Sequence, residues 1–186
     1  MEQRPPDERL RLFLGLRLPE RVLDGVGAWQ ERELGDVEAR GTGRIVPREH
    51  LHITLAFLGS RPATELGEIA GALEEAVRPG HSFELELDRY RETRSVAMLV
   101  LLDPSGRATA FAGQLQERLE GLGVFRREGR PWLPHLTVAR FRERPRLRPV
   151  LPQLGQFAPS DAAAFLSRLH QSGARYEVLR SFPLHE

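Results

Sequence analysis

Two tetrapeptides of the sequence could share one reaction. His52-Ile53-Thr54-Leu55 and His135-Leu136-Thr137-Val138 each read histidine, apolar, threonine, apolar. In a strand, alternate side chains share a face. His52 and Thr54 would then stand on one face and His135 and Thr137 on another, with the apolar partners turned to the core. Imidazole titrates near neutral pH and can serve as acid or base. Threonine hydroxyls can donate to the non-bridging oxygens of a phosphate. In-line displacement at phosphorus needs a base on the attacking oxygen and an acid on the leaving oxygen, on opposite sides. Two His and two Thr facing one groove would supply that set without a metal or other cofactor. No carboxylate cluster that could hold magnesium stands beside either motif: Asp88 and Asp103 are isolated, and Glu49 lies at a strand entry. One such tetrapeptide would more often mark an ordinary strand end, so the weight lies on there being two.

The elements around the motifs repeat. Leu10, Leu12, Leu14, Leu16 and Leu18 alternate with other residues and predict a strand with one apolar face. Pro19 suits the opening of a helix, whose inner stripe would be Val22, Leu23, Val26 and Trp29. A Gly-rich loop through Gly41 and Gly43 leads to a strand over 51–58, stopped by Gly59. A second helix is predicted from Leu66 to Val77, ended by Pro79-Gly80. Strands follow at 83–87 and 96–102. After Asp103-Pro104 comes a third helix with Phe111, Leu115, Leu119 and Leu122 inward and Gly123 as its stop. A strand over 133–141, a Pro- and Arg-rich connection over 145–152, and closing strands near 163–169 and 176–182 complete the chain. Strand, proline, helix, loop and histidine-bearing strand occur from Leu12 to Leu58 and again from Met98 to Phe141. Leu14 to His52 spans 38 positions and Val100 to His135 spans 35. Two related lobes packed about a pseudo-twofold axis would bring both polar pairs to one cleft.

Composition limits the alternatives. The 186 residues suit one domain built of two similar lobes. There is no cysteine, which excludes disulfides, thiolate-bound zinc and cysteine nucleophiles. No stretch approaches the roughly 20 apolar residues of a membrane span. The N-terminus lacks a signal peptide's apolar core, so a cytoplasmic location is the expectation; a monomer is expected as well. Net charge is +1, and every basic residue is Arg. Between Arg126 and Arg148 stand eight arginines (126, 127, 130, 140, 142, 144, 146 and 148) against Glu128 and Glu143. That local basic field points to an anionic ligand. Arg130 and Arg140 flank the second motif and could meet a phosphate. His50 shares the face of His52 but sits at the strand mouth. His81, His170 and His185 have no Thr two residues on. Phe57 and Trp132 could stack on a base, although an aromatic in an apolar strand is more often core.

At this point the chain resembles the two-histidine phosphoesterase superfamily, and within it the bacterial and archaeal RNA 2′,3′-cyclic phosphodiesterase, or 2′-5′ RNA ligase, type. Arg11-Leu12-Phe13-Leu14-Gly15-Leu16 with Leu18-Pro19 resembles the family's opening. Val46 to Gly59 resembles its first signature, Arg130 to Arg140 its second, and Tyr176-Glu177-Val178-Leu179 with Phe182-Pro183-Leu184 its closing strand. Ile45 stands where many members carry an aromatic residue. The resemblance implies an α+β class: a single bilobal domain over residues 1–186, with two antiparallel sheets lining a central cleft and helices outside. It implies hydrolysis of an RNA or nucleotide 2′,3′-cyclic phosphate to a 2′-phosphate. In that reaction His52 is the proton donor to the 3′ oxygen, His135 the proton acceptor from water, and Thr54 and Thr137 bind the phosphate. Competing readings are 2′-5′ RNA ligation, opening of a small cyclic nucleotide, a non-catalytic RNA-binding module, and a metal site built from His50, His52 and His135.

Overall fold

The apolar alternation of the first segment becomes strand β1 (Arg9–Arg17). Leu10, Leu12, Leu14 and Leu16 enter the main core, whereas Phe13 faces the other way. This computed structural model describes residues 8–78, 82–170 and 173–184, so Pro79, Gly80, His81 and His185 lie outside the described residues. The order continues α1 (Glu20–Ala39), β2 (Gly43–Ile45), β3 (Ile53–Pro62), α2 (Leu66–Val77), β4 (Glu86–Glu92), β5 (Val96–Leu102), α3 (Arg107–Gly121), β6 (His135–Phe141), β7 (Asp161–His170) and β8 (Gly173–Pro183). No helix among the described residues is long and apolar enough to cross a membrane.

All strands join one antiparallel sheet in the order β4-β5-β6-β3-β1-β7-β8, with β2 also paired to β6. The two expected sheets are two halves of this one curled sheet. They meet at a single cross-strand pair, Ile53 with Leu136. That seam fixes the internal repeat. Leu16 pairs with Ile53 in the first half and Leu99 with Leu136 in the second, and both steps span 37 positions. Leu16 therefore corresponds to Leu99. The correspondence of Leu14 with Val100 drawn from sequence spacing alone is corrected by this register.

The helices cross over. α1, from the first repeat, sends Gln30 to the Val138 carbonyl of β6, and α3, from the second, sends Gln116 to the Leu55 carbonyl of β3. Trp29 of α1 is fully buried, and its Nε1 donates to the Val150 carbonyl at 2.6 Å. This bond anchors the Pro- and Arg-rich connection. Gly123, at φ 69°, ends the helical segment as expected.

Four details differ from the sequence reading. Leu122 is 42% exposed, not inward, because α3 ends one residue earlier. Gly59 does not stop β3, since a positive φ of 69° lets it serve as part of an irregular ladder that runs on to Pro62. The strand expected at 83–87 begins at Glu86, and Phe83 and Leu85 are instead buried ahead of it, Leu85 bridged to Phe157. Part of the Gly-rich loop forms β2, where Gly43 lies so close to the Arg140 carbonyl that a Cβ would sit 2.5 Å from it.

Candidate active site

β3 and β6 lie side by side at the seam, and each begins at its motif. Carrying the antiparallel register one residue either side of Ile53–Leu136 sets His52 across from Thr137 and Thr54 across from His135. Residues directly opposite have Cβ atoms about 4.5–5.5 Å apart, and diagonal neighbours about 7–8 Å. The two imidazoles thus hold one diagonal of a square and the two threonines the other. All four line a cleft of about 1460 Å³ on the face of the sheet away from the main core.

The two histidines are held alike. His52 Nδ1 lies 2.7 Å from the His50 carbonyl oxygen, and His135 Nδ1 lies 2.8 Å from that of Leu133. A carbonyl only accepts, so Nδ1 carries a proton in both rings. That leaves each Nε2 for chemistry in the cleft.

Their surroundings differ. The His52 ring packs against Phe13 at 4.8 Å, Phe165 at 5.7 Å and Tyr176 edge-on at 5.4 Å between centroids. Gly15, opposite Thr54, makes room for it: a Cβ there would approach the His52 ring to 3.3 Å and the Ile53 carbonyl to 3.0 Å. Burial removes water that would solvate an imidazolium, and it pulls the His52 pKa from 6.5 to about 4. The His50 carbonyl opposes this, while Arg140, His135 and His50 add to it through charge repulsion. His135 stands in the other half, with no aromatic wall of this kind against it among the described residues, and its partner across β5 is Val100.

Beyond the motifs, the two strands share a pattern of burial over seven positions. Ile53, Leu55, Ala56 and Leu58 are buried, and so are Leu136, Val138, Ala139 and Phe141. Phe57 and Arg140 are the exposed members, each five positions past its histidine. An odd offset would send both to the core face. One extra residue in each strand, Leu55 between the pairs Thr54–Gly15 and Ala56–Leu14, and Val138 between Thr137–Met98 and Ala139–Ala97, resets the alternation. Phe57, a base-stacking candidate in the sequence although its place in an apolar strand suggested core, is 59% exposed and lines the cleft.

The six residues singled out from sequence (His52, Thr54, Arg130, His135, Thr137 and Arg140) all line this cleft. Of the basic stretch, Arg126, Arg127, Arg130 and Arg140 do so. Arg142, Arg144, Arg146 and Arg148 do not, and Arg144 pairs with the buried Glu92. Arg130 bonds Glu128 on the open rim. Trp132 is half-buried, and its Nε1 donates to the Thr54 carbonyl at 2.9 Å. It thereby ties the second motif's approach to the first motif's strand. The His50 ring packs, tilted, against Tyr176 at the mouth. His170 is exposed at the end of β7, and Ile45 lines the cleft. Among the described residues no three His, Asp or Glu side chains gather as a metal ion would need, His50, His52 and His135 included.

Sequence reasoning missed the Phe13, Phe165 and Tyr176 wall, and the cleft-lining Arg44, Arg91 and Arg175. The alternation of β1 contained a signal for Phe13, which falls between core leucines. The others come from strands whose pairing no local pattern discloses.

The fold is that of the two-histidine phosphoesterases. Residues 19–171 match the family model of the 2′-5′ RNA ligase superfamily, and the chain belongs to that family. It is similar to the RNA 2′,3′-cyclic phosphodiesterase of Methanocaldococcus jannaschii, 24% identical over 181 residues that cover 93% of this chain and 100% of the relative. The RNA 2′,3′-cyclic phosphodiesterase of Escherichia coli is 28% identical over 181 residues, covering 95% and 98%. Among solved structures, TT0787 of Thermus thermophilus superposes with a TM-score of 0.79 at 28% identity, covering 94% of this chain and 98% of that one.

Proposed function

We propose that this protein hydrolyses the 2′,3′-cyclic phosphate end of RNA to a 2′-phosphate, with His52 and His135 as its acid and base. The observation that carries the reading is the pair of imidazoles, each with Nδ1 tied to a carbonyl two residues back and Nε2 left to one cleft. Relatives named for this activity match nearly the whole chain, which supports the same reaction here. Water attacks phosphorus and gives its proton to one imidazole. The bond from phosphorus to the 3′ oxygen breaks, and the other imidazole protonates that oxygen. Thr54 and Thr137 donate to the non-bridging oxygens. Arg140 and Arg130 offer charge to the neighbouring phosphate backbone, and Phe57 offers a ring face to a base. The substrate-binding partner is RNA, no cofactor takes part, and the working unit is a monomer.

The family resemblance makes His52 the donor and His135 the acceptor. One observation favours the reverse: burial leaves His52 neutral at pH 7, the state a base requires. A bound phosphate anion offsets the repulsion from Arg140 and His135, and the donor role requires that it restore the proton. Two assays decide. His52→Ala and His135→Ala should each lower turnover of a 2′,3′-cyclic-phosphate-terminated RNA by about 10²–10⁴-fold. A near wild-type rate in either variant would end the reading. On bis(4-nitrophenyl) phosphate, whose leaving group needs no proton, only loss of the acceptor should be costly. A rate that survives His135→Ala but not His52→Ala would reverse the roles.

A further inference from the structure

The extra residue of a bulge leaves the ladder, and its carbonyl then needs another donor if it is buried. Both bulges of the motif strands find that donor in a glutamine from the opposite repeat. Gln116 Nε2 donates to the Leu55 carbonyl at 2.9 Å. Gln30 Nε2 donates to the Val138 carbonyl at 2.8 Å and to that of Val46 at 3.0 Å, and Gln30 is itself only 3% exposed. The Val46 amide also donates to Val138, so β6's bulge is held from two sides. An amide buried in an apolar helix face costs stability unless it is bonded. By whole-residue exposure Gln30 and Asp161 are the two buried polar or charged residues among those described, and the side chain of Glu92 is buried as well. A leucine would pack the helix as well, so the amides have another use.

The bulges decide what stands five positions past each histidine. Without Leu55 as the extra residue, Phe57 would turn to the core and Leu58 to the cleft. Without Val138 as the extra residue, Arg140 would turn inward and Phe141 outward. We propose that Gln30 and Gln116 are positioning residues that lock the two bulges in register, Gln116 for Phe57 and Gln30 for Arg140. They thereby assign a ring face to one side of the cleft and a cation to the other. The inference rests on the hydrolytic reading only for the identity of the ligand.

The test is a set of double-mutant cycles on the full chain. Binding of adenosine 2′-monophosphate is measured by calorimetry, and kcat and KM are measured on a 2′,3′-cyclic-phosphate-terminated RNA. Gln116→Met and Gln30→Met keep the side-chain volume and remove the donor. Each should weaken binding by up to about tenfold, the scale of one net buried hydrogen bond, and raise KM with kcat little changed. Gln116→Met should cost nothing more once Phe57→Leu is present, yet multiply with Arg140→Met. Gln30→Met should show the opposite partnership. Losses that multiply in all four combinations, or single variants that bind like wild type, would overturn the proposal. Circular dichroism reports whether each variant is folded. Gln116, being only partly buried, decides the question by itself if Gln30→Met unfolds. A wild-type chain that binds the nucleotide but leaves the cyclic phosphate intact would sink the hydrolytic reading and leave the binding cycles to decide this one.

Discussion

His52 and His135 have the same motif, the same backbone anchor and the same place in the repeat, yet among the described residues only His52 is walled by aromatic rings. The difference has a thermodynamic consequence. A histidine in the unfolded chain takes its proton near pH 6.5, whereas folded His52 takes it only near pH 4. Between those values the unfolded state binds more protons, so stability is complete above pH 6.5 and falls as pH drops toward 4. The shift corresponds to about 3 kcal/mol. NMR titration of the ring should give a pKa well below 6, and His52→Phe should flatten the pH dependence of unfolding over that interval. A titration near 6.5 in the free protein would contradict the burial argument. The motif itself was legible in the sequence because period-two alternation is local. The aromatic wall was not, because Phe165 and Tyr176 reach His52 from β7 and β8, more than 110 positions on.

At the scale of elements, the helices hold the sheet's strands and connections through Trp29, Gln30 and Gln116. Amphipathic spacing located all three, with Trp29, Phe111 and Leu115 inward as expected. Their ends were read less well: Leu122 fell outside α3, where the last turn gives way to Gly123. The start of α3 shows the kind of local chemistry that fixes an end. Asp103 Oδ2 accepts from the Thr109 amide at 2.7 Å, and Asp103 also accepts from the Ser105 hydroxyl. It satisfies an amide that the first helical turn leaves without an intrahelical partner. Asp103→Ala should cost about 1 kcal/mol in chemical denaturation, as loss of a helix cap does. Because α3 carries Gln116 to β3, the change should also loosen the cleft. A variant as stable as wild type would show that the packing of Phe111 and Leu115 alone holds this end.

For the whole molecule, a net charge of +1 hides a strongly uneven distribution. Seven arginines line the cleft (Arg44, Arg91, Arg126, Arg127, Arg130, Arg140 and Arg175) against Glu38, Glu49 and Glu128. Arg44 and Arg140 stand directly opposite each other on β2 and β6, a like-charge pairing that an anion between them would relieve. KM for RNA should therefore rise steeply with salt while kcat holds, and a plot of log KM against log salt should have a positive slope. A flat plot would mean that the arginines solvate the rim and do not touch the backbone. The basic stretch was visible as a run of residues. Which half of it serves the cleft depends on where β6 ends and the connection turns away toward Glu92 and Trp29.

The sequence by itself determined the two motifs, the face on which each His and Thr stands, the helices, and the fact of a repeat, because all of these follow from spacings within a single element or between like elements. The tertiary structure decided the seam at Ile53 and Leu136, the one-residue bulges, and hence the exposure of Phe57 and Arg140. A bulge is a mismatch between two paired strands, stable only if its freed carbonyl is satisfied. Here that satisfaction comes from glutamines 61 and 108 positions away in the chain, joined at Val138 by the Val46 amide. Alternation along one strand carries no trace of such a partner, so a strict period of two sends both side chains to the wrong face.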